Sequence, residues 1–183
     1  MERGTNLKEK RMSRRATFAI VASLMAFSSG TVFGHDPLDA QKQHEGLLKN
    51  MGKVKITLQQ ALGMAESQGQ PISGKFELEG NTEFQLSVFT AKSGRFAEVE
   101  VDYTNGKLSK PEVIKEGEDL AEAKSESAAM AKVTLKAALD RAVSQNAGYR
   151  AISIFPSLKD GHAVGSVELL KDQEFKTVEI PLE

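Results

Sequence analysis

Apolar and polar residues alternate along this chain with two different periods, and the succession of periods occurs twice. Residues 55–68 (KITLQQALGMAESQ) carry apolar side chains at the i, i+3, i+4, i+7 spacing of a helix that buries one face. Residues 132–145 (KVTLKAALDRAVSQ) repeat this pattern, and eight of the fourteen positions are identical. Thr57 and Thr134 precede the apolar stripes, where a hydroxyl group caps a helix. The pattern predicts two copies of one short helix that faces the core.

Strand-like segments follow each predicted helix and are separated by turn residues; in the first unit an apolar residue stands at every second position. The predicted strands are 75–79, 83–90, 95–103, 150–155, 162–170 and 174–182. Residues 87–100 and 166–179 also share six of their fourteen positions. The predicted fold class is α+β, with two tandem repeats, each a helix packed on a three-stranded or slightly larger antiparallel sheet.

The segments outside the repeats complete the predicted organisation. Asp36-Pro37 is a favourable helix start and Gly52 a favourable stop, so a mostly polar N-terminal helix is expected between them. A later segment is linker-like and then rich in Ala, Glu and Lys, which favours a partly ordered helix. The predicted divisions are a signal peptide at 1–34, an N-terminal helix at 35–52, a first unit at 53–108, a linker and helix at 109–131 and a second unit at 132–183.

The first 34 residues have the layout of a secretory signal peptide. A basic start is followed by an apolar run at 16–27 and by small residues before His35, where cleavage is expected. The alternative is a membrane anchor, for which the unbroken apolar run is short. The expected location is therefore periplasmic or secreted, with no stable membrane insertion after the signal is removed.

Composition narrows the classes of partner. The chain has no cysteine, which excludes disulfides and thiolate metal sites. The expected exported part keeps 18 of the 24 Lys and Arg residues and 23 of the 25 Asp and Glu residues, a net charge of −5. A mildly acidic chain without basic clusters is poorly suited to nucleic acid, so we predict no nucleic-acid partner.

Two stretches of the first unit resemble the PepSY domain family. Residues 55–61 (KITLQQA) are similar to that family's ISLEQA-like helix start. Residues 99–108 (VEVDYTNGKL) match its V-E-V-D-x-x-x-G-K-[VIL] closing pattern without a gap. Residues 132–138 and 175–180 are similar to parts of a second unit, whose closing pattern is absent.

The resemblance implies an exported bacterial protein with tandem PepSY repeats. The family's motifs describe a fold and supply no catalytic residues. PepSY units occur in the propeptides of thermolysin-like metalloproteases and in exported proteins for which a peptidase-restraining role has been proposed. The resemblance therefore implies a protein partner, with a peptidase as one class.

The residues themselves favour no reaction. There is no cysteine nucleophile and no G-x-S-x-G pattern, and the glycines form no phosphate-binding loop. The carboxylates alternate with apolar residues along strands, which is typical of the solvent face of a sheet. His35 and His44 are nine residues apart, a spacing that matches no common metal motif. We therefore predict no enzyme, no cofactor and no metal site; the alternative is a metal held by the new amino terminus, His35 and His44.

The strand pattern predicts a surface for a protein partner on the sheet face opposite the core. Phe89 and Phe96 flank a tight turn and share this face with Glu98 and Glu100. The aromatic pair is expected either to anchor a partner or to pack against the other unit or the N-terminal helix. The leading hypothesis is a non-enzymatic exported binding protein that inhibits or regulates a peptidase. The alternative is a periplasmic carrier or sensor of a small ligand or metal ion, held between the units.

Overall fold

The computed structural model describes residues 37–80, 82–130 and 133–183, with side chains from residue 41 onward. The predicted signal peptide and His35 lie outside the described residues. The helices in the described part are α1 (Pro37–Met51), α2 (Leu58–Ala65), α3 (Gly117–Ala129) and α4 (Leu135–Gln145). The strands there are β1 (Gln70–Glu79), β2 (Glu83–Lys92), β3 (Arg95–Glu100), β4 (Glu112–Ile114), β5 (Arg150–Lys159), β6 (His162–Lys171) and β7 (Glu174–Pro181). None of these helices is long and apolar enough to cross a bilayer.

All seven strands belong to one antiparallel sheet in the order β4-β3-β2-β1-β5-β6-β7. The predicted α+β class is confirmed. Each of the helices α2 and α4 is followed by three strands that pair in sequence, and β1 pairs with β5 at the centre. This central pairing has two residue pairs, Gly74 with Ile154 and Lys75 with Ser153.

Helices α2 and α4 pack side by side on one face of the sheet, which we call the helix face. Their apolar stripes are fully buried in the main core, as the spacing predicts, at Leu58, Ala61, Leu62, Ala65, Leu135, Ala138, Leu139 and Ala142. The Thr57 and Thr134 hydroxyls accept hydrogen bonds from Gln60 N and Ala137 N at 3.2 Å each. A methyl group at Gly74 would lie 3.2 Å from side-chain atoms of α2, so this glycine allows the helix to approach the sheet closely.

Helix α1 fills the gap where β1 and β5 separate. The Gln43 side chain donates to Leu78 O at 2.8 Å and accepts from Leu78 N at 2.9 Å. Its amide thus replaces the strand neighbour that β1 lacks at this position. On the other side, the Arg150 guanidinium donates to Met51 O at 3.0 Å. The predicted N-terminal helix is confirmed within 37–51, and it joins the two halves of the sheet.

Helix α3 crosses the opposite face of the sheet, which we call the polar face. It contacts β5, β1 and β3. Its Ala123 is fully buried against Ile72 and Phe89, and Phe96, Ile114 and Met130 pack around this small cluster. A helix was expected after the linker-like segment, and it packs on the sheet through Ala123.

Several strand boundaries differ from the prediction: β3 ends at Glu100 rather than at residue 103, and β5 extends to Lys159 rather than to residue 155. Strand β1 begins at Gln70 rather than at residue 75, because Pro71 and Gly74 are accommodated by a bulge and by the close approach of α2. Strand β4 was not predicted. Its three residues pair with β3 and lengthen the sheet beyond the first unit.

The turn after β3 is closed by the Asp102 carboxylate. It accepts hydrogen bonds from Thr104 N at 2.8 Å, Thr104 Oγ1 at 2.6 Å and Asn105 Nδ2 at 2.7 Å. Gly106, at φ +79°, donates to Asp102 O at 2.7 Å. The hydrogen bonds from Thr104, with a smaller contribution from Asn105, lower the pKa of Asp102 below 3.8. The carboxylate therefore holds this turn in its ionised form.

Asp102→Ala is expected to lower the thermal unfolding temperature at neutral pH. The folded-state pKa is depressed, so the ionised carboxylate contributes stability above pH 3.8 and this contribution is lost as pH falls through the folded value. The difference between wild type and Asp102→Ala should therefore close in acid. Thermal unfolding followed by circular dichroism against pH measures it. Asp102→Asn, which keeps an acceptor but no charge, should be affected less, and a difference that persists in acid would contradict this role.

Candidate functional site

The face predicted to bind a partner is not exposed in its centre. Phe89 lies on β2 with 1% of its surface accessible. It packs against Ile72 of β1 and Ala123 of α3. Phe96 is partly buried and packs against the same cluster, so both aromatic residues lie on this face. The prediction that they share a solvent-exposed face is wrong, because α3 covers it.

The two predicted glutamates differ in their surroundings. Glu98 is 8% exposed, and its Oε1 accepts a hydrogen bond from Ser87 Oγ at 2.7 Å. Glu100 is exposed, and its backbone N–H donates to Ser109 Oγ at 3.0 Å. Of the predicted partner-binding residues, only Glu100 is exposed on the surface.

A buried ion pair lies on the polar face between the strands and α3. Lys75 Nζ is 2.7 Å from Glu77 Oε2, and the two side chains are 3% and 4% exposed. Burial raises the pKa of Glu77 above 4.5, while the Lys75 charge opposes that rise. Lys75 Nζ also lies 5.7 Å from the centroid of the Phe89 ring. Sequence reasoning placed Glu77 on a solvent face and therefore missed this pair.

The polar face continues onto α3 through Glu126. Its Oε2 accepts a hydrogen bond from Ser73 Oγ at 2.7 Å, and the residue is 4% exposed. The helix therefore supplies both an apolar contact, through Ala123, and a polar one. This arrangement fixes α3 on the sheet and occupies the surface that a partner would need.

His44 lies on α1, partly buried at the contact with the second half of the sheet. Its ring stacks on Phe175 of β7, with centroids 3.9 Å apart and planes inclined by 11°. His44 Nε2 is 3.4 Å from Glu168 Oε1 on β6. Within the residues that the structure describes, no group of three His, Asp or Glu side chains is arranged to hold a metal ion. His35, the other member of the alternative metal site, lies outside those residues.

Among the described residues, strand β7 forms one edge of the sheet and pairs with β6 alone. Leu182 N donates to Ala163 O at 2.9 Å, and the antiparallel ladder alternates from that pair. The backbones of Lys176, Val178 and Ile180 therefore face β6. The backbones of Phe175, Thr177 and Glu179 face outward, toward no strand of the described chain. The edge at the other end of the sheet, β4, has three residues.

The described residues form two clefts between the halves, on the helix face. One, of about 290 Å³, separates the end of α2 from the start of α4. The other, of about 220 Å³, lies between the end of α1, the start of α2 and the end of α4. These are the spaces to which the carrier or sensor hypothesis refers.

Comparison with known proteins gives no guide to this site. No protein family, curated protein or solved structure matches the chain. The resemblance to PepSY domains stays a prediction carried by the residues quoted above.

Two features of the site were not predicted from the sequence. The open edge of β7 depends on the strand order, which the sequence pattern does not give. The Lys75–Glu77 pair has one signal in retrospect: the alternating lysine and glutamate neutralise each other, so this stretch of the face can be buried. Whether a helix buries the Lys75–Glu77 pair depends on where α3 packs, which the sequence pattern does not give.

Proposed function

We propose that this protein is a non-enzymatic, exported binding protein built from two tandem PepSY-like units. Its partner is a peptidase, which it restrains by pairing with the open edge of β7. The proposed location is the periplasm or the medium. The observation that carries the proposal is the outward-facing backbone of β7, because strand addition at an exposed edge is a common mode of peptide recognition.

The tandem character of the proposal is supported by matching local structure in the two halves. The capping threonines Thr57 and Thr134 stand 77 residues apart at equivalent helix starts. The first strand of each half has a register irregularity, at Ile72 and at Ile152, which are 80 residues apart. Gly74 and Ile154 have the same separation and pair with each other, as expected when two copies of one unit join through the same strand.

The edge of β7 is favoured over the polar face because α3 covers the polar face and no strand of the described chain covers the edge. The polar face of β1–β3 is occupied by α3, with Phe89 and Glu98 buried under or beside it. No strand of the described chain pairs with the outer side of β7 over its eight residues from Glu174 to Pro181. Pro181 at its end, where the outward position lacks an N–H group, limits uncontrolled pairing with other chains.

Amide hydrogen exchange tests the proposal on the exported protein mixed with a thermolysin-like metallopeptidase. In the free protein, the amides of Lys176, Val178 and Ile180 should exchange slowly because they bond to β6. The amides of Phe175, Thr177 and Glu179 should exchange fast. Binding should slow these three amides and lower the peptidase activity, since a partner strand then accepts their hydrogen bonds.

The inner amides of β7 are the control, because they are protected in both states. If exchange slows only on the polar face or on α3, the peptidase binds that surface and not the edge of β7. Unchanged exchange together with unchanged peptidase activity would overturn the proposal for this class of peptidase.

A further inference from the structure

The smaller cleft on the helix face has an apolar floor formed by both halves of the protein. Met51 comes from the end of α1, and Val54 and Ile56 come from the loop before α2. Phe76 of β1 and Val143 of α4 complete the floor. The volume of about 220 Å³ gives room for about seven groups of the size of a water molecule, at about 30 Å³ each.

The rim of this cleft is cationic. Lys55 and Arg150 line it, and neither is within ion-pair distance of a carboxylate of the described residues. No Asp or Glu of that part of the chain lines the cleft. The positive rim contrasts with the acidic balance of the exported chain, so it is a local feature.

Two further cations stand beside the Tyr149 ring, which also lines the cleft. Lys171 Nζ and Lys176 Nζ lie 5.7 Å and 5.8 Å from its centroid. The nearby carboxylate of Glu174 is engaged by the Tyr149 hydroxyl, and that hydrogen bond raises the pKa of the phenol. Two basic side chains therefore line the cleft, and two more stand beside the ring of Tyr149 at its wall.

We propose that this cleft binds a small amphipathic monocarboxylate. Its apolar body of about six to eight carbon atoms would lie on Phe76 and Val143, and its carboxylate would meet Lys55 and Arg150. Apolar contacts supply most of the binding and the charged groups fix the orientation, as is usual for small-ligand sites. The site lies on the helix face and does not involve the outward-facing backbone of β7, so it does not rest on the proposed function.

Titration calorimetry with sodium octanoate and the full chain tests this site. Octanoate is expected to bind with a dissociation constant on the order of 0.1–1 mM, which suits about ten non-hydrogen atoms. Butyrate keeps the carboxylate but has a much shorter alkyl chain, and 1-octanol keeps the long alkyl chain but has no charge. Each should bind at least about tenfold more weakly. Equal binding of octanol would overturn the proposal, and so would no binding of octanoate up to about 10 mM.

Variants and methyl NMR shifts locate the site. Lys55→Gln should weaken octanoate binding about three- to tenfold, because one charge-assisted contact at an exposed rim is lost. Lys124→Gln on α3, at the opposite face, is the matched control and should bind as wild type does. The methyl groups of Val54, Ile56 and Val143 should shift on titration. Shifts confined to other residues, or equal affinities of the two variants, would contradict the assignment.

Discussion

Lys75→Met is expected to lower the free energy of unfolding by about 3–5 kcal/mol. The substitution removes the cation that lies 2.7 Å from Glu77. The Glu77 carboxylate, 4% exposed on the polar face, is then left without this partner. Methionine fills similar space, so lost packing contributes little. Chemical denaturation at neutral pH measures the difference. Lys124→Met on the exposed side of α3 is the matched control and should change stability by less than about 0.5 kcal/mol.

The loss should depend on pH. The pKa of Glu77 is already raised above 4.5 in the folded protein, and removal of the Lys75 charge that opposes this shift raises it further. A raised carboxyl pKa means that the folded state holds its proton more tightly than the unfolded chain does. The deficit should therefore be smallest below pH 4.5 and grow as pH rises through the folded value.

The double variant Lys75→Met/Glu77→Leu separates the pair from its surroundings. Replacing both charges by apolar groups of similar size leaves no buried charge of the pair, so at least half of the lost stability should return. Two results would contradict a buried ion pair. One is a double variant as unstable as Lys75→Met, and the other is a loss of unfolding free energy under about 1 kcal/mol for Lys75→Met.

The helices and most strands could be predicted because their signals are local. The stripes of α2 and α4 repeat every three or four residues, and Thr57 and Thr134 mark their starts in the structure as in the sequence. The β2 and β3 strands alternate cleanly up to their hairpin. Strand β4 has only three residues, too few to show a period, so its place in the sheet depends on pairing with β3.

The burial of the polar face could not be predicted from the alternation. A strand with alternating apolar and polar residues has the same pattern whether its polar side meets water or a covering helix. Helix α3 gives little help, because its Ala, Glu and Lys residues form only a weak apolar side. Its contact with the sheet is made by a small residue, Ala123, and by a glutamate, Glu126. The placement of Phe89 and Phe96 on one face was predictable, and the helix that covers Phe89, α3, was not.

Thr177→Pro is expected to weaken binding to the peptidase about tenfold or more. The substitution removes an outward-facing N–H group at the middle of the β7 edge and places a ring where a partner strand would lie. An unpaired partner carbonyl costs about 1–3 kcal/mol. The fold should tolerate the change, because this N–H group makes no bond to β6 and proline is accepted at such edge positions. Thermal unfolding within a few degrees of wild type would verify that.

The affinity of Thr177→Pro and of Thr177→Ser for a thermolysin-like metallopeptidase, measured side by side, tests the central claim most directly. The serine variant keeps the backbone N–H group and loses one methyl group from an exposed side chain, so it should bind as wild type does. The account predicts a loss of about tenfold or more for proline alone. Equal binding of wild type and both variants would contradict recognition through the edge of β7.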